Sequence, residues 1–570
     1  MADRPARLVG AGQRALARED WARARALFAA AGDDPEALEG LAAAEWGDGD
    51  VAASVRALEG AYGAHRRNGD ALAAGRVATA LAIDGYVIGG DPVDVRGWLA
   101  RARRLLQDHE DSSEFAWLRL WEGDFAMLVE RDPATARGSA AEAARLARRC
   151  GDGDLEMLAV ALEGLAQVSL GDVVAGMRML DEVGAAAAGG EINDRDAHLV
   201  ACCYLIFACD RARDFARAAR WCDYVARTAA RLSHQFSLSV CRTHYAGLLI
   251  ARGDWAGAER ELDEAIAALE MATPSWAAEG VCRLAELRRR QGRVDEAAAL
   301  LDRAERPPLR MLAWPEALLA RAELALDAGA PARAADLAQR YLRRLPPDAR
   351  VDRVAGLDLL VRASVAAGRA DTARPAVAEL ADTATMLGSE AVHGLACLAR
   401  GTLAVAVGDL EVGRTACEDA VDLLAAAGVP YDEARARLAL ARALRRMGNG
   451  PDSHREAASA ATTFRELGAA TELAEAERLL AGLPSPRGSA ETAGEAGLTR
   501  RELDVLRLLA VGRGNDEIAH QLVLSPRTVE RHVSNVYRKI GVSGRVARAG
   551  AAAYAHRHGL VAAEQGTRLP

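Results

Sequence analysis

Apolar residues recur every three or four positions through almost the whole chain, interrupted by short polar turns built on glycine. That periodicity predicts amphipathic helices throughout, without the two-residue alternation of strands. Between Gly253 and Gly448 the turns follow one pattern, G-[DR]-x-x-x-A. It reads G-D-W-A-G-A at Gly253, G-R-V-D-E-A at Gly292, G-A-P-A-R-A at Gly329, G-R-A-D-T-A at Gly368 and G-D-L-E-V-G at Gly408, with a looser copy at Gly448. Successive glycines are 39, 37, 39, 40 and 40 residues apart. Weaker copies stand near Gly49, Gly90, Asp132, Gly171 and Asp214, and E-D-W-A-R-A at Glu19 resembles the first turn. Two helices per unit of about forty residues predict a helical solenoid over residues 1–480.

The turn has a readable mechanism. Glycine supplies the left-handed cap of one helix, the Asp that often follows caps the next, and the alanine closing the motif lets the helices approach. Trp21, Val173, Phe215 and Trp255 follow that Asp, so they are expected to wedge between neighbouring units. The array resembles tetratricopeptide repeats, although those have a shorter period of about 34 residues and a tighter consensus. Residues 481–497, A-G-L-P-S-P-R-G-S-A-E-T-A-G-E-A-G, carry Pro, Gly and Ser without apolar periodicity and are expected to be a flexible linker.

The pattern shortens after the linker. Thr499 and Glu502 form a candidate capping box before Leu503, Leu506, Leu509 and Ala510. Gly512 and Gly514 stop that helix. Asn515 is placed to cap a second one containing Ile518, Ala519 and Leu522, with Asp516 and Glu517 in its first turn. Ser525 and Pro526 open a third. Only Val523 and Leu524 separate the second and third, which predicts a helix-turn-helix. Val529, Val533, Val536 and Ile540 form the inner stripe of the third helix, while Arg527, Arg531, Ser534, Asn535 and Arg538 face the other way. Arginines and amides on that face suit the major groove. Ser543 opens a last helix to about His558, with Val546, Ala549, Ala553 and Tyr554 near one side, and residues 561–570 read as a frayed tail.

The stretch L-T-R-R-E-L-D-V-L, N-D-E-I-A and S-P-R-T-V-E-R-H-V-S-N-V-Y-R-K-I-G-V-S-G-R resembles the DNA-binding domain of LuxR-type transcription regulators. Region four of sigma factors shares part of it but usually lacks the N-x-x-x-K-I-G-V-x-x-R ending and the further helix. The resemblance implies base-edge contacts from Glu530, Arg531 and Ser534, and backbone contacts from Arg527, Thr528, Asn535 and Lys539. Many relatives carry Lys where Glu530 and Ser534 stand, which implies an unusual site preference. It also implies that the last helix pairs two copies, so that a homodimer reads two half-sites about one turn apart. His532 is expected to be half-buried or phosphate-contacting rather than catalytic.

The expected fold is therefore all-α: a tetratricopeptide-like α-solenoid over 1–480, the linker 481–497, a small four-helix LuxR-type helix-turn-helix domain over 498–560, and the tail. Charge agrees with double-stranded DNA as partner. Residues 498–560 carry ten Arg and one Lys against five acids, whereas the whole chain stands at −9. Lys539 is the sole lysine. That excludes the phosphate loop G-x-x-x-x-G-K-[ST] of an ATP-binding module, the lysine of a receiver domain, and lysine-dependent kinase or Schiff-base chemistry. Cys202, Cys203, Cys209, Cys222, His234, Cys241 and His244 cluster without paired C-x-x-C spacing, so they read as small buried side chains rather than a metal or redox centre. No catalytic constellation, cofactor motif or metal site is expected, and the protein reads as no enzyme. The N-terminus has no secretory apolar core and no stretch approaches about 18 uncharged apolar residues, so a cytoplasmic protein without a membrane partner is expected. An unknown protein, peptide or small-molecule effector at the repeats is the expected signal, with RNA polymerase a further candidate partner. The rival reading is a repeat-based scaffold whose C-terminal module binds protein rather than DNA.

Overall fold

A computed structural model describes residues 3–232, 235–307, 316–483, 498, 500–522 and 526–560. Helices follow one another in antiparallel pairs, and there is no strand among the described residues. The turn at Gly253 shows how each pair is made. Gly253 sits at φ +86°, a left-handed conformation that only glycine adopts without strain. There Gly253 N–H donates to the Ile250 carbonyl and Asp254 N–H to that of Leu249, closing the preceding helix. Asp254 Oδ1 then accepts the Gly257 N–H at 2.8 Å and starts the helix Trp255–Ala272. The weak upstream copies are the same device: the side chains of Asp20, Asp50, Asp91, Asp132, Asp172 and Asp214 each cap the helix that follows. Where Arg293, Ala330 or Arg369 takes the place of Asp, the helix starts without a side-chain cap.

The closing alanine of the motif does what small size permits. Ala258, Ala297, Ala334 and Ala373 are wholly buried at the crossing of paired helices. In the next copy the position is Gly413, and the helices come closer still: a methyl group there would lie 2.5 Å from Val405 Cγ2 and 3.3 Å from the Gly401 carbonyl oxygen.

The aromatic wedges act over longer range than adjacent repeats. Trp255 is buried with its ring 5.9 Å from that of Tyr431, and Val173 packs against two separate parts of the core. Trp21 packs beside Gly47 in the neighbouring pair and also lies under the Arg195 guanidinium. The side chain of Phe215 lies outside the described residues. Ion pairs join the same distant segments: Arg195 to Glu19 across 176 residues and Arg131 to Glu316 across 185. The solenoid thus coils so tightly that one superhelical turn packs on the next, and one apolar cluster joins residues 78–320 to residues 431–483. In this region the coil surrounds a partly open lumen lined by eight arginines and eight carboxylates.

The cysteine cluster is part of the packing. Cys202, Cys203, Cys209 and Cys241 are buried, Cys222 is half-buried, and burial pushes the thiols of Cys202, Cys209, Cys222 and Cys241 up and away from reactivity. His244 leaves the cluster for the lumen, where it meets Asp210 at 3.3 Å and Glu279 at 3.4 Å. His234 lies outside the described residues. One described helix, Glu390–Val407, is long and apolar enough to cross a membrane, but it carries Glu390 and Arg400 and packs along the helix Leu410–Ala427 through the Gly401–Gly413 approach.

Candidate nucleic-acid interface

The last repeat helix ends at Ala481 and the next begins at Arg500. Four helices follow: Arg500–Ala510, Asn515–Leu522, Pro526–Ile540 and Ala547–Arg557, the last preceded by a single 3-10 turn at Gly544–Val546. Val505, Leu506, Leu509, Ile518, Ala519, Val529, Val533 and Val536 close their core. The valine stripe of the third helix therefore faces inward as its spacing requires, with Ile540 half-buried at its end.

Two expected caps differ. Asn515 is the first residue of its helix rather than its cap. Its Oδ1 accepts from Arg548 Nη1 at 3.1 Å, tying the second helix to the last, while Glu517 reaches back to the Gly514 N–H at 2.8 Å. Ser543 makes no side-chain cap. Thr499 and Ser525 lie outside the described residues; Glu502, the expected partner of Thr499, is buried and takes Lys539 Nζ at 2.6 Å.

On the outer side of the third helix, Glu530, Ser534 and Arg538 are exposed and Asn535 is half-buried. Ser534 Oγ donates to the Glu530 carbonyl at 2.9 Å, and Arg538 Nη2 donates to Asn535 Oδ1 at 2.8 Å. These groups share one face with charge at its centre. The side chains of Arg527, Thr528 and Arg531 lie outside the described residues. Lys539 stands apart from the exposed set, because its ammonium bridges the first and third helices. Arg501, which the sequence pattern did not single out, is nearly buried and donates to the Leu522 carbonyl at 2.6 Å, closing the second helix.

His532 is also placed differently from expectation. It has no exposed surface, and what covers it is the repeat array: Nδ1 lies 3.1 Å from Asp422 Oδ2 and Nε2 lies 3.9 Å from Asp419 Oδ1. Both carboxylates belong to the repeat helix Leu410–Ala427. On the same helix, burial raises Glu418 to about 7, against the pull of Arg414 and of the head's own Arg501. The flank of the third helix is therefore docked on an acidic stretch of the solenoid. At about 100° per residue, the docked flank is roughly 120° from the Arg538 side.

Residues 496–552 match the profile described as "Bacterial regulatory proteins, luxR family". The head is a luxR-family domain. Over 64 residues it is 45% identical to the transcriptional regulatory protein LiaR of Bacillus subtilis (strain 168), covering 11% of this chain and 29% of that one. Over 50 residues it is 52% identical to the nitrate/nitrite response regulator protein NarP of Escherichia coli (strain K12), covering 9% of this chain and 23% of that one. The chain thus spans less than a third of the length of either relative, and the likeness is confined to the luxR-family head. Among solved structures, the fold is similar to a Rap protein complexed with competence and sporulation factor (TM-score 0.48, 11% identity, 68% of this chain and 99% of that one). It is similar also to the APC/C hetero-tetramer Cut9–Hcn1 (TM-score 0.45, 12% identity, 95% of each).

Proposed function

We propose that this protein is a transcription regulator that binds operator DNA through its luxR-family head and is controlled through its tetratricopeptide-like repeats. The observation that carries the reading is the third head helix. It holds its valines inward and leaves Glu530, Ser534 and Arg538 exposed on one face of a domain whose relatives are named transcriptional regulators. In this reading Glu530, Arg531 and Ser534 meet base edges in the major groove, and Arg527, Thr528, Asn535, Arg538 and Lys539 hold the backbone. Lys539 supports its contact from a fixed position, since Glu502 orients it.

Residues 1–480 are the sensing body, 481–497 the connection, and 498–560 the reader. The last helix favours a homodimer on DNA: Ala549 and Ala553 on it and Val546 in the turn before it are exposed and apolar, and a two-fold pair would place two readers about one duplex turn apart. The absence of lysine before Lys539 supports control that needs no nucleotide loop. Action in the bacterial cytoplasm, with RNA polymerase as a downstream partner, follows from the same reading.

The test is a gel shift with the full chain on duplexes selected from the source genome. Arg531→Ala and Arg538→Ala should each weaken specific binding by about 1–3 kcal/mol, with the helical signal and melting temperature unchanged. Unchanged affinity in both variants would remove the assigned reading face.

A further inference from the structure

A lumen of about 370 Å³ runs through the coiled repeats, in the size range of small-molecule sites. Its walls are unlike the rest of the interior, which is alanine and leucine. Taking so many charges out of water costs several kcal/mol per ion, and apolar residues of similar volume would serve stability at least as well. Retained buried charge around an unfilled space is the mark of a site that receives something polar.

At one end the bonding is incomplete. Arg131 Nη2 donates to Glu316 Oε1 at 2.7 Å, and Arg211 Nε lies 3.2 Å from Asp352 Oδ1. Glu316 Oε2, Asp352 Oδ2 and Arg211 Nε are buried and have no hydrogen-bond partner. Burial raises the Glu316 carboxyl against the pull of Arg131, and the charges of Glu279 and Asp352 raise it further. The spare capacity is thus two carboxylate acceptors beside one guanidinium donor. A cationic ligand would satisfy only the first and an anion only the second. A zwitterion satisfies both and leaves the balanced charge of the wall unchanged.

Arg131 and Arg211 also line a second, smaller chamber of about 50 Å³, where Leu128, Val240, Phe207 and Trp276 give an apolar side and Tyr86, Thr243, His244 and Glu279 complete the wall. A charged head at the arginines would direct an apolar group into it. Spacing separates the two sources of such a head. The ammonium and carboxylate of a tetrapeptide stand about 13 Å apart when extended, too far to meet a single Arg–Glu pair, whereas those of a free amino acid are neighbours. We propose that the repeat lumen binds a free α-amino acid with a medium-sized apolar side chain. Its ammonium lies on Glu316 and Asp352, its carboxylate on Arg131 and Arg211, and its side chain in the Leu128–Trp276 chamber. Binding stands on the lumen alone; its role as the effector rests on the regulator reading above.

The experiment is calorimetric titration of the full chain with L-leucine, L-methionine and L-phenylalanine, with N-acetyl-leucinamide and a leucine-headed tetrapeptide as comparison arms. Saturable binding of at least one free amino acid is expected, at least tenfold weaker for the capped compound. Glu316→Gln should lose at least tenfold, and Leu128→Trp should abolish binding by filling the chamber, both with an unchanged helical signal. If either variant fails to fold, the capped-against-free comparison on the native chain decides. No binding by any free amino acid, equal binding by N-acetyl-leucinamide, or binding by the tetrapeptide alone would each overturn the proposal. A gel shift with and without the bound amino acid separates the two claims: binding without any change in duplex affinity keeps the site and removes its link to DNA control.

Discussion

Single buried carboxyls carry a readable pH response. Asp84 is nearly buried, with only Ser54 Oγ donating to its Oδ2 at 2.8 Å, and burial raises it to about 7. Asp124, buried against the Tyr204 hydroxyl, is raised to about 6. A carboxyl whose folded value lies above its unfolded one stabilises the fold fully below the unfolded value, near 4, and loses that contribution as pH rises through the folded value. These two groups therefore favour the fold at mildly acidic pH and weaken it between about pH 4 and 8. Asp84→Asn keeps an acceptor for Ser54 without the charge. It should raise stability by about 1–2 kcal/mol at pH 5 and by up to about 4 kcal/mol at pH 8, as read from urea midpoints at the two pH values; a pH-independent difference would contradict the assignment. At this scale the sequence was informative where a residue's role is set by its own helix. The valine stripe and the exposed Ser534 and Arg538 follow from spacing alone, whereas Glu530 was singled out by the family resemblance. Roles set by a distant partner were not legible. Nothing local says that Lys539 meets Glu502 or that Asn515 meets Arg548, because each contact depends on how two helices cross.

Among elements, the helix pair is the unit the sequence describes best, and the reason is that both of its signals are local. A left-handed residue, usually glycine, and a capping Asp lie side by side in the chain; where Arg131 or Arg213 takes the glycine's place, Asp132 or Asp214 alone marks the turn. The alanine five residues after the glycine reports how closely the pair packs. Where it becomes Gly413, the backbone of the partner helix occupies the space a side chain would need. Gly413→Ala should therefore destabilise the repeat by about 1–3 kcal/mol through overpacking against Val405, despite alanine's better helix propensity. Gly428→Ala is not a fair comparison, since Gly428 sits at φ +68° and would be strained for another reason. The better control is Ala373→Gly at the equivalent position of another pair. It should cost about 1–2 kcal/mol, from backbone freedom and the loss of a buried methyl group. A chemical denaturation series ranks the two, and a Gly413→Ala chain as stable as the parent would show that the helices can separate freely.

Across the whole molecule, the period announced a coil but not its pitch. Closure depends on small rotations between successive pairs, which add up over 176 or 185 residues before Arg195 meets Glu19 or Arg131 meets Glu316, and no short motif encodes such a sum. Docking of the head is likewise a product of shape. Nothing in the sequence marks the acids Asp419 and Asp422; in the structure they cover His532 on the flank of the reading helix. That arrangement leaves Glu530, Ser534 and Arg538 exposed, yet it sets carboxylates beside the surface that must approach phosphate, and like charges at that range oppose binding. Removing the charges should help DNA twice, by freeing the head and by lifting the repulsion. Asp419→Asn combined with Asp422→Asn in the full chain is expected to tighten duplex binding five- to thirty-fold, or about 1–2 kcal/mol. It should also speed amide exchange along Pro526–Ile540 when no DNA is present. Faster exchange without tighter binding would mean that docking holds the head but does not restrain it from DNA. If neither changes, the contact is a resting place with no consequence for DNA binding.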